Sequence, residues 1–150
     1  VDVQNIYYTT RDTFRRSFNY RRFWNQIESK DEIIKANAYA IDRGDERQQK
    51  FQYALKSIGF NVKLKPYISR ADGSSKGDWD VGITIDILES AEEVEKIILL
   101  SGDGDFDILV RKVIDEYGCI VVIYGVKELT ANSLIESASK FYSISNKFLV

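Results

Sequence analysis

The clearest periodic segment of the chain lies between residues 106 and 117. Apolar residues recur there at the spacing of one helix face: Phe106, Leu109, Val110, Val113, Ile114 and Tyr117. This pattern predicts an amphipathic helix that ends at Gly118. The same reasoning predicts a helix over residues 45–58 that ends at Gly59, and a short helix over residues 129–138. Residues 6–29 read as largely helical, with a second helix that begins near Tyr20 after Asn19 as its N-cap.

Short apolar segments between these helices are typical of strands. They lie at residues 32–41, 60–68, 96–101, 119–124 and 140–144, and residues 1–3 read as the end of a strand that begins upstream. Strands that are apolar on both faces and alternate with helices indicate a mostly parallel sheet with helices on both sides. The pattern therefore predicts a three-layer α/β domain. Residues 69–76, rich in Ser, Gly and Asp, are predicted to be a loop.

Residues 77–92 fit two patterns. Apolar residues at 81, 83, 85 and 87 alternate with polar or small ones as in a strand, whereas Val81, Ile85 and Leu88 share a helix face. Two parallel neighbouring strands at residues 60–68 and 96–101 would need a crossover helix between them. Only residues 77–92 can supply it, so we predict a helix.

Composition restricts the chemistry that is open to this domain. The chain has 150 residues, of which 44% are hydrophobic and 29% are charged, and these values fit one globular domain. No apolar run is long enough to span a bilayer. The chain has no histidine, and its single cysteine, Cys119, lies in an apolar run, so zinc is disfavoured and a reducing cytoplasm is expected. Any catalytic metal must be a hard cation bound by oxygen ligands. The net charge of −2 gives no global attraction for a polyanion.

The start of the chain carries its own expectations. No basic stretch followed by an apolar one opens it, so we expect no signal peptide. Methionine is absent at the first position and everywhere else. We expect either that upstream residues are missing, which would truncate the first strand, or that the sequence has been redesigned. Residues 1–150 are interpreted as a single domain.

Acidic residues stand at three turns of the predicted sheet edge. Asp2 ends the first strand, Asp80 precedes the crossover helix, and Asp103 and Asp105 follow the strand at residues 96–101. Sites in open parallel sheets lie beyond the carboxyl ends of the strands, and the glycines that flank Asp103 allow a sharp turn there. Clustered carboxylates repel one another unless a cation binds them. A bound Mg²⁺ or Mn²⁺ would remove this cost, activate water and stabilise charge on a phosphate.

Each of these acids also has a purely structural interpretation. Asp103 or Asp105 could cap the following helix, Asp2 could be a turn residue, and Asp80 could be a first-turn helix acid. One cap accounts for only one member of the pair, however, and the coincidence of three turns favours a metal site. A calcium-binding loop is excluded because isoleucines occupy the positions of its glycine and its closing glutamate. Without histidine a Ser-His-Asp triad is impossible.

Three short motifs at the predicted site occur in a recognisable order. They are Asp2-x-x-Asn5, Lys76-Gly77 with Asp80, and Ser101-Gly102-Asp103-Gly104-Asp105-Phe106. In these motifs the chain resembles the NYN family, the LabA-like branch of the PIN-domain nucleases, over nearly its whole length. The resemblance implies a PIN-like (Rossmann-like) fold, a helix over residues 77–92, and a ribonuclease that depends on Mg²⁺ or Mn²⁺. The catalytic and metal-binding residues that it implies are Asp2, Asp80, Asp103 and Asp105, supported by Asn5 and Ser101.

Basic and aromatic residues near the site are candidates for contacts with RNA. The cations on or near the adjacent loops are Arg43, Lys65, Arg70 and Lys76. Trp79, beside Asp80, is either a platform for base stacking or an anchor in the core. Residues 7–23 also interleave arginines with aromatics: Arg11, Arg15, Arg16, Arg21 and Arg22 with Tyr7, Tyr8, Phe14, Phe18, Tyr20 and Phe23. That patch fits binding of single-stranded RNA, or else a solvated helix face with core aromatics behind it.

The leading hypothesis is a cytoplasmic, metal-dependent endoribonuclease that acts on single-stranded RNA. In it, Asp2 and Asp103 ligate the metal, while Asp80 and Asp105 complete the coordination or position water. The rival hypothesis is a non-catalytic module that keeps the acidic pocket and binds RNA or a protein. A third is a metal-dependent nucleotide phosphatase. No membrane partner is expected, and a homodimer is the default expectation for assembly.

Overall fold

Helices and strands alternate along most of the chain. The computed structural model describes residues 1–66, 68–69, 71 and 75–150, with the backbone alone for residues 68, 69, 75 and 76. The helices are α1 (Val3–Phe14), α2 (Tyr20–Glu28), α3 (Glu46–Ile58), α4 (Asp80–Ser90), α5 (Asp107–Tyr117) and α6 (Asn132–Ser137). The strands are β1 (Asn37–Asp42), β2 (Asn61–Pro66), β3 (Ile68–Ser69), β4 (Ser75–Lys76), β5 (Lys96–Leu100), β6 (Ile120–Gly125) and β7 (Lys140–Ser143).

The parallel sheet has two parts that meet at Asp2. β1 pairs in parallel with β2, with Asn37 opposite Asn61, and β5, β6 and β7 pair in parallel in that order. Asp2 forms a parallel bridge with Tyr39 of β1, and its N–H donates to the carbonyl of Leu100 of β5 at 3.0 Å. The spatial order is therefore β2, β1, Asp2, β5, β6, β7. The predicted class, an α/β fold with a mostly parallel sheet between helices, is confirmed.

Alternate residues of the strands pack into two separate cores, one on each face of the sheet. Leu100 and Val122 face the core that contains Ile6 of α1, Phe23 of α2 and Leu55 of α3. The neighbouring residues Leu99, Val121 and Ile123 face the other core, with Ile83 of α4, Val113 of α5 and Leu134 of α6. This alternation is the period of two that a strand imposes on its side chains. The result is a three-layer structure.

The predicted helix ends are confirmed by their capping contacts. The side chains of Asn19 and Asp45 each accept the backbone N–H of the residue three positions further on, at 3.1 Å and 2.7 Å. Gly59 ends α3 with a φ of 135°, in the region that favours glycine, and Gly118 ends α5 with a φ of 68°. In the described part of the chain, no helix combines the length and the apolar character needed to cross a bilayer.

The helix predicted over residues 77–92 is confirmed as α4, but the topological reason for it was wrong. β2 and β5 are not neighbours, because β1 and Asp2 lie between them. The connection from β2 to β5 therefore passes over two positions in the sheet, β1 and Asp2, instead of joining direct neighbours. Such a parallel crossover still requires an element on the face of the sheet, and α4 is that element.

Two strand predictions and one loop prediction differ from the structure. β1 begins at Asn37, so residues 32–36 lie outside the strand, although the carbonyl of Ala36 accepts the N–H of Asn61 at 2.8 Å. The exposed fraction of Ile34 is 65%. In residues 1–3 only Asp2 makes a strand-like bridge, and α1 begins at Val3. Between β1 and β5 a cavity of about 480 Å³ lies beside this short bridge. The predicted loop at 69–76 is bounded by the antiparallel pair β3 and β4, and its central residues lie outside the described ones.

Candidate metal centre

Three aspartates converge at the carboxyl edge of the sheet. Asp80 is the first residue of α4, and Asp103 and Asp105 lie on the turn between β5 and α5. One carboxylate oxygen from each lies within 4.8 Å of the others. Asp103 and Asp80 are half-buried and Asp105 is exposed, so the group opens to solvent. Oxygen ligands of this kind, in this number, suit Mg²⁺ or Mn²⁺.

The fourth predicted ligand, Asp2, reaches this group through a buried hydroxyl. Ser101 Oγ donates to Asp2 Oδ2 at 3.0 Å and accepts the N–H of Asp103 at 3.2 Å. Ser101 has no exposed surface. Asp2 itself is fixed between the two parts of the sheet by its backbone, so the hydroxyl transmits that fixed position to the turn that carries Asp103.

Asn5 holds the same turn from the side of α1. Its Oδ1 accepts the N–H of Gly102 at 2.9 Å. Asn5 therefore positions the backbone around Asp103, and its part in binding substrate stays a prediction. Its spacing of three from Asp2, one turn into α1, is what brings both side chains to the β5 turn.

The capping interpretation of Asp103 is correct but incomplete. Its Oδ1 accepts the N–H of Asp105 at 2.9 Å, at the start of the short 3₁₀ turn Gly104–Phe106. A carboxylate has two oxygens, so a cap formed by one leaves the other for a cation. No cap in the described structure involves the side chain of Asp105. One helix start therefore does not account for both acids.

The glycines that flank Asp103 are needed for space rather than for a left-handed turn. Neither Gly102 nor Gly104 has a positive φ, which corrects our expectation of a sharp turn that only glycine permits. A Cβ on Gly102 would lie 2.9 Å from the carbonyl oxygen of Leu129, and one on Gly104 would lie 2.8 Å from Cβ of Ala131. The segment that precedes α6 thus packs directly against the acidic turn.

Crowding changes the acidity of these carboxyl groups. Partial burial, followed by the negative charges of Asp103 and Asp78, raises the pKa of Asp80 to about 7. Burial also raises the pKa of Asp2, although the hydrogen bond from Ser101 opposes the rise. The site therefore holds more negative charge than its own protein environment neutralises, and a divalent cation would compensate it.

Asp78 is a part of the site that sequence reasoning did not select. Its Oδ1 accepts the N–H of Asp80 at 3.2 Å, and its charge contributes to the raised pKa of that residue. The signal was present in the Asp-Trp-Asp spacing just before a helix, where two acids share the positive end of the helix dipole. We read only the second acid as functional.

Trp79 is partly buried and makes the contacts of a core anchor, while its role in substrate binding stays a prediction. Its Nε1 donates to the carbonyl of Ala40 at 2.9 Å, and its ring centroid lies 5.4 Å from that of Tyr39. Lys65 Nζ lies 4.5 Å from the centroid of the Trp79 ring and donates to the carbonyl of Asp78 at 3.1 Å. Both contacts fix the turn that leads to Asp80.

Several of the other predicted RNA contacts either lie outside the described residues or have structural contacts. Arg70 lies outside the described residues, as does the side chain of Lys76. Arg16 is a structural link, since it donates to the carbonyl of Val150 at 2.9 Å and to Asn146 Oδ1 at 3.0 Å. The aromatics Phe18, Tyr20 and Phe23 are buried in the core. The burial of these three aromatics fits the alternative interpretation, in which they are core residues behind a helix face.

The chain is similar to known proteins along nearly its whole length. Residues 1–145 match the family described as NYN domain. Low amplitude and bright protein LabA of Synechococcus elongatus is 30% identical over an alignment of 115 residues, which covers 71% of this chain and 61% of LabA. The chain thus spans less than two thirds of that relative. The crystal structure of a protein of unknown function, VPA0982 from Vibrio parahaemolyticus, is 48% identical with a TM-score of 0.94, and the match covers 99% of this chain and 92% of that one.

Proposed function

Because the chain belongs to the NYN domain family, we propose that it is a divalent-metal-dependent endoribonuclease that acts in the cytoplasm. The observation that carries this proposal is the convergence of oxygens from Asp80, Asp103 and Asp105 within 4.8 Å. These oxygens lie at the carboxyl edge of a parallel sheet, where sites of open α/β folds are found. The match to LabA covers only part of the length of that protein. We therefore put forward RNA as the substrate as a proposal.

We assign the metal to Asp80, Asp103 and Asp105, with Asp2 oriented towards them by Ser101. When bound, Mg²⁺ or Mn²⁺ supplies a Lewis acid for the phosphate and a more acidic water. Asp103 is held rigidly by its cap and by Ser101, which suits a direct ligand. Asp105 is the most exposed of the three acids, so we assign it to orient the attacking water as well as to complete the coordination of the metal.

The experiment that tests the proposal is cleavage of an end-labelled single-stranded RNA with Mn²⁺, Mg²⁺ or EDTA. The Asp103→Asn variant removes the charge, while asparagine keeps the ability to cap the turn. The matched control is Asp115→Asn, an exposed acid near the far end of α5. We expect metal-dependent cleavage that falls at least about a hundredfold in Asp103→Asn and is unchanged in Asp115→Asn.

Other outcomes would identify the rival functions. RNA binding without cleavage by the folded chain, in either metal, would favour the non-catalytic module. Hydrolysis of nucleotides but not of oligonucleotides would favour the phosphatase. Equal cleavage by the wild-type chain and Asp103→Asn would remove the acidic turn from the mechanism.

A further inference from the structure

Two tyrosines and two arginines form a small surface beside the metal centre. The guanidinium carbon of Arg11 lies 5.4 Å from the ring centroid of Tyr7 and 4.8 Å from that of Tyr8. The two rings meet edge to face, with centroids 5.2 Å apart. Arg43, just beyond the end of β1, donates from Nη2 to the Tyr8 hydroxyl at 3.4 Å. We call these four residues, Tyr7, Tyr8, Arg11 and Arg43, the tyrosine shelf.

The helix α1 joins the shelf to the acidic site. Asp2 is its N-cap, and Tyr7 and Tyr8 follow five and six residues later. At a rise of 1.5 Å per residue, the shelf begins about 8 to 9 Å along the helix axis from Asp2. Arg43 reaches the same place from the carboxyl end of β1. The shelf and the aspartates therefore lie at one edge of the sheet.

One face of α1 connects the turn beside the metal centre to the tyrosine shelf. Gln4, Tyr8 and Arg11 are spaced four and three residues apart, so their side chains lie along one side of α1. Gln4 Oε1 lies 3.7 Å from the point where a Cβ on Gly77 would stand. Gly77 belongs to the turn that ends at Asp80. The face therefore runs from the turn beside the metal ligands to the shelf.

The charges of the shelf favour stacking of a base on its rings over attraction of a phosphate to Arg11. Arg11 donates through Nε and Nη2 to Asp12 Oδ1, at 3.2 Å and 3.1 Å, so its charge is partly compensated. Its guanidinium holds the two rings in place. Tyr7 remains accessible to a ligand, since 53% of its surface is exposed. An exposed ring that its neighbours already position loses little conformational entropy when a base stacks on it.

We infer that the tyrosine shelf binds an unpaired nucleotide of an RNA strand that continues to the metal centre. The base stacks on the tyrosines, and Arg43 contacts the adjoining phosphate. A duplex keeps its bases stacked on each other, so it cannot use these rings, and the shelf selects unpaired RNA. This inference rests on the proposed function, because it takes RNA as the ligand of the same site.

The test measures binding separately from cleavage. Fluorescence anisotropy of a labelled unpaired oligoribonucleotide is recorded in EDTA, where no cleavage occurs, with the whole chain. Tyr7→Ala is compared with Tyr53→Ala, an equally simple truncation of a tyrosine on α3 that is 74% exposed. We expect affinity to fall about fivefold or more in Tyr7→Ala and to stay unchanged in Tyr53→Ala. Affinity for the corresponding duplex is expected to be the same in all three proteins.

Salt dependence separates the roles of the ring and the cation. Loss of one phosphate contact lowers the slope of log affinity against log salt by about 0.7 for a single strand. We expect this change in Arg43→Gln. Tyr7→Ala is expected to keep the wild-type slope although its affinity is lower. In cleavage assays Tyr7→Ala is expected to raise KM and to leave kcat unchanged.

The outcomes distinguish this inference from the proposed function. If the chain cleaves RNA and Tyr7→Ala behaves like Tyr53→Ala, the shelf is not a binding site and the ribonuclease remains. If Tyr7-dependent binding is found without cleavage in any metal, the shelf is supported and the ribonuclease is not. If the wild-type chain does not bind unpaired RNA in preference to duplex, the inference is overturned.

Discussion

The hydroxyl of Ser101 is the point at which two of the candidate ligands are coupled. It donates its proton to the carboxylate of Asp2 and accepts the backbone N–H of Asp103. The positions of both aspartates therefore depend on one buried oxygen atom. A serine at this place can do both because its hydroxyl is donor and acceptor together. Residues that orient metal ligands in this way commonly affect metal binding or activity by about 10 to 100-fold when they are removed.

Ser101→Ala is therefore expected to reduce kcat/KM for RNA by about 10 to 100-fold. It leaves the partly buried N–H of Asp103 without its acceptor, so the free energy of unfolding should also fall by about 1 kcal/mol. The control is Ser137→Ala, which removes a comparably buried hydroxyl that donates to the carbonyl of Leu134 at 2.7 Å in α6. We expect Ser137→Ala to lower stability without changing kcat/KM. An equal loss of activity in both variants would show that Ser101 acts through stability alone.

At the same scale, the sequence predicted which acids stand at the sheet edge because position after a strand is local information. Asp103 and Asp105 follow β5 directly, and Asp80 begins α4. What each neighbour contributes is not local. The contact of Trp79 with Ala40, and the close approach of Leu129 to Gly102, join residues far apart in the chain. No periodicity or spacing encodes such contacts, so Trp79 remained ambiguous and the reason for the glycines was wrong.

At the scale of elements, a charged contact links α4 to both strands of the smaller part of the sheet. Asp86 of α4 accepts hydrogen bonds at Oδ2 from Lys63 of β2 at 2.6 Å and from the hydroxyl of Tyr39 of β1 at 2.7 Å. Burial would raise the pKa of Asp86, but these two hydrogen bonds outweigh burial and hold its pKa below the ordinary value. The contact thus fixes the helix whose first residue is Asp80.

Lys63→Met keeps most of the side-chain stem and removes the charge, and it is expected to lower the unfolding free energy by about 1 kcal/mol at pH 7. A lowered carboxyl pKa stabilises the folded state above the unfolded pKa of 3.8, and this contribution is lost as pH falls through the lower folded pKa. The difference between wild-type and variant should therefore stay constant from neutral pH down to about 5 and shrink below 3.8. Urea unfolding at several pH values measures it.

The matched control for this pair is Lys112→Met. Lys112 and Glu116 form an exposed pair within α5, and we expect a smaller stability loss from its removal. A difference between wild-type and Lys63→Met that persists unchanged at pH 2 would contradict the electrostatic account. It would instead assign the effect to the packing of the lysine stem.

How well an element could be predicted depends on how local its determinants are. α5 has a complete apolar face, and α2 and α3 have capping residues, so their patterns were sufficient. The start of β1 was placed too early because residues 32–36 have the pattern of a strand but precede the paired segment, which begins at Asn37. Pairing partners are set by the whole sheet, and the place of Asp2 between β1 and β5 was likewise invisible in the local pattern.

At the scale of the whole molecule, the candidate metal centre lies at the seam of the sheet. Asp2 is the residue that joins the part formed by β1 and β2 to the part formed by β5, β6 and β7. Asp80 comes from the helix that connects these parts along the chain, and Asp103 follows the strand on the far side of the seam. A cation bound by these residues would therefore tie the start of α4 to the turn after β5, in addition to the cores that the two parts of the sheet share, and its effect should extend to global stability.

Global stability consequently offers a measurement of metal binding that does not depend on catalysis. A ligand at 100 times its Kd stabilises the folded state by about 2.7 kcal/mol. For a domain of this size, that corresponds to a rise in Tm of about 5 to 10 °C. We expect Mn²⁺ to produce such a rise in the wild-type chain and in Asp115→Asn, measured by thermal unfolding with and without EDTA.

The Asp103→Asn variant is expected to reverse the order of stabilities. Without metal it should unfold at a higher temperature than wild-type, because the charge that helps to raise the pKa of Asp80 is gone while the cap remains. With Mn²⁺ the wild-type chain should become the more stable protein, since only it has the full set of carboxylates. Equal shifts in both proteins would mean that Mn²⁺ binds elsewhere. A wild-type chain that Mn²⁺ does not stabilise would contradict the assignment of the aspartates as metal ligands, whatever its activity.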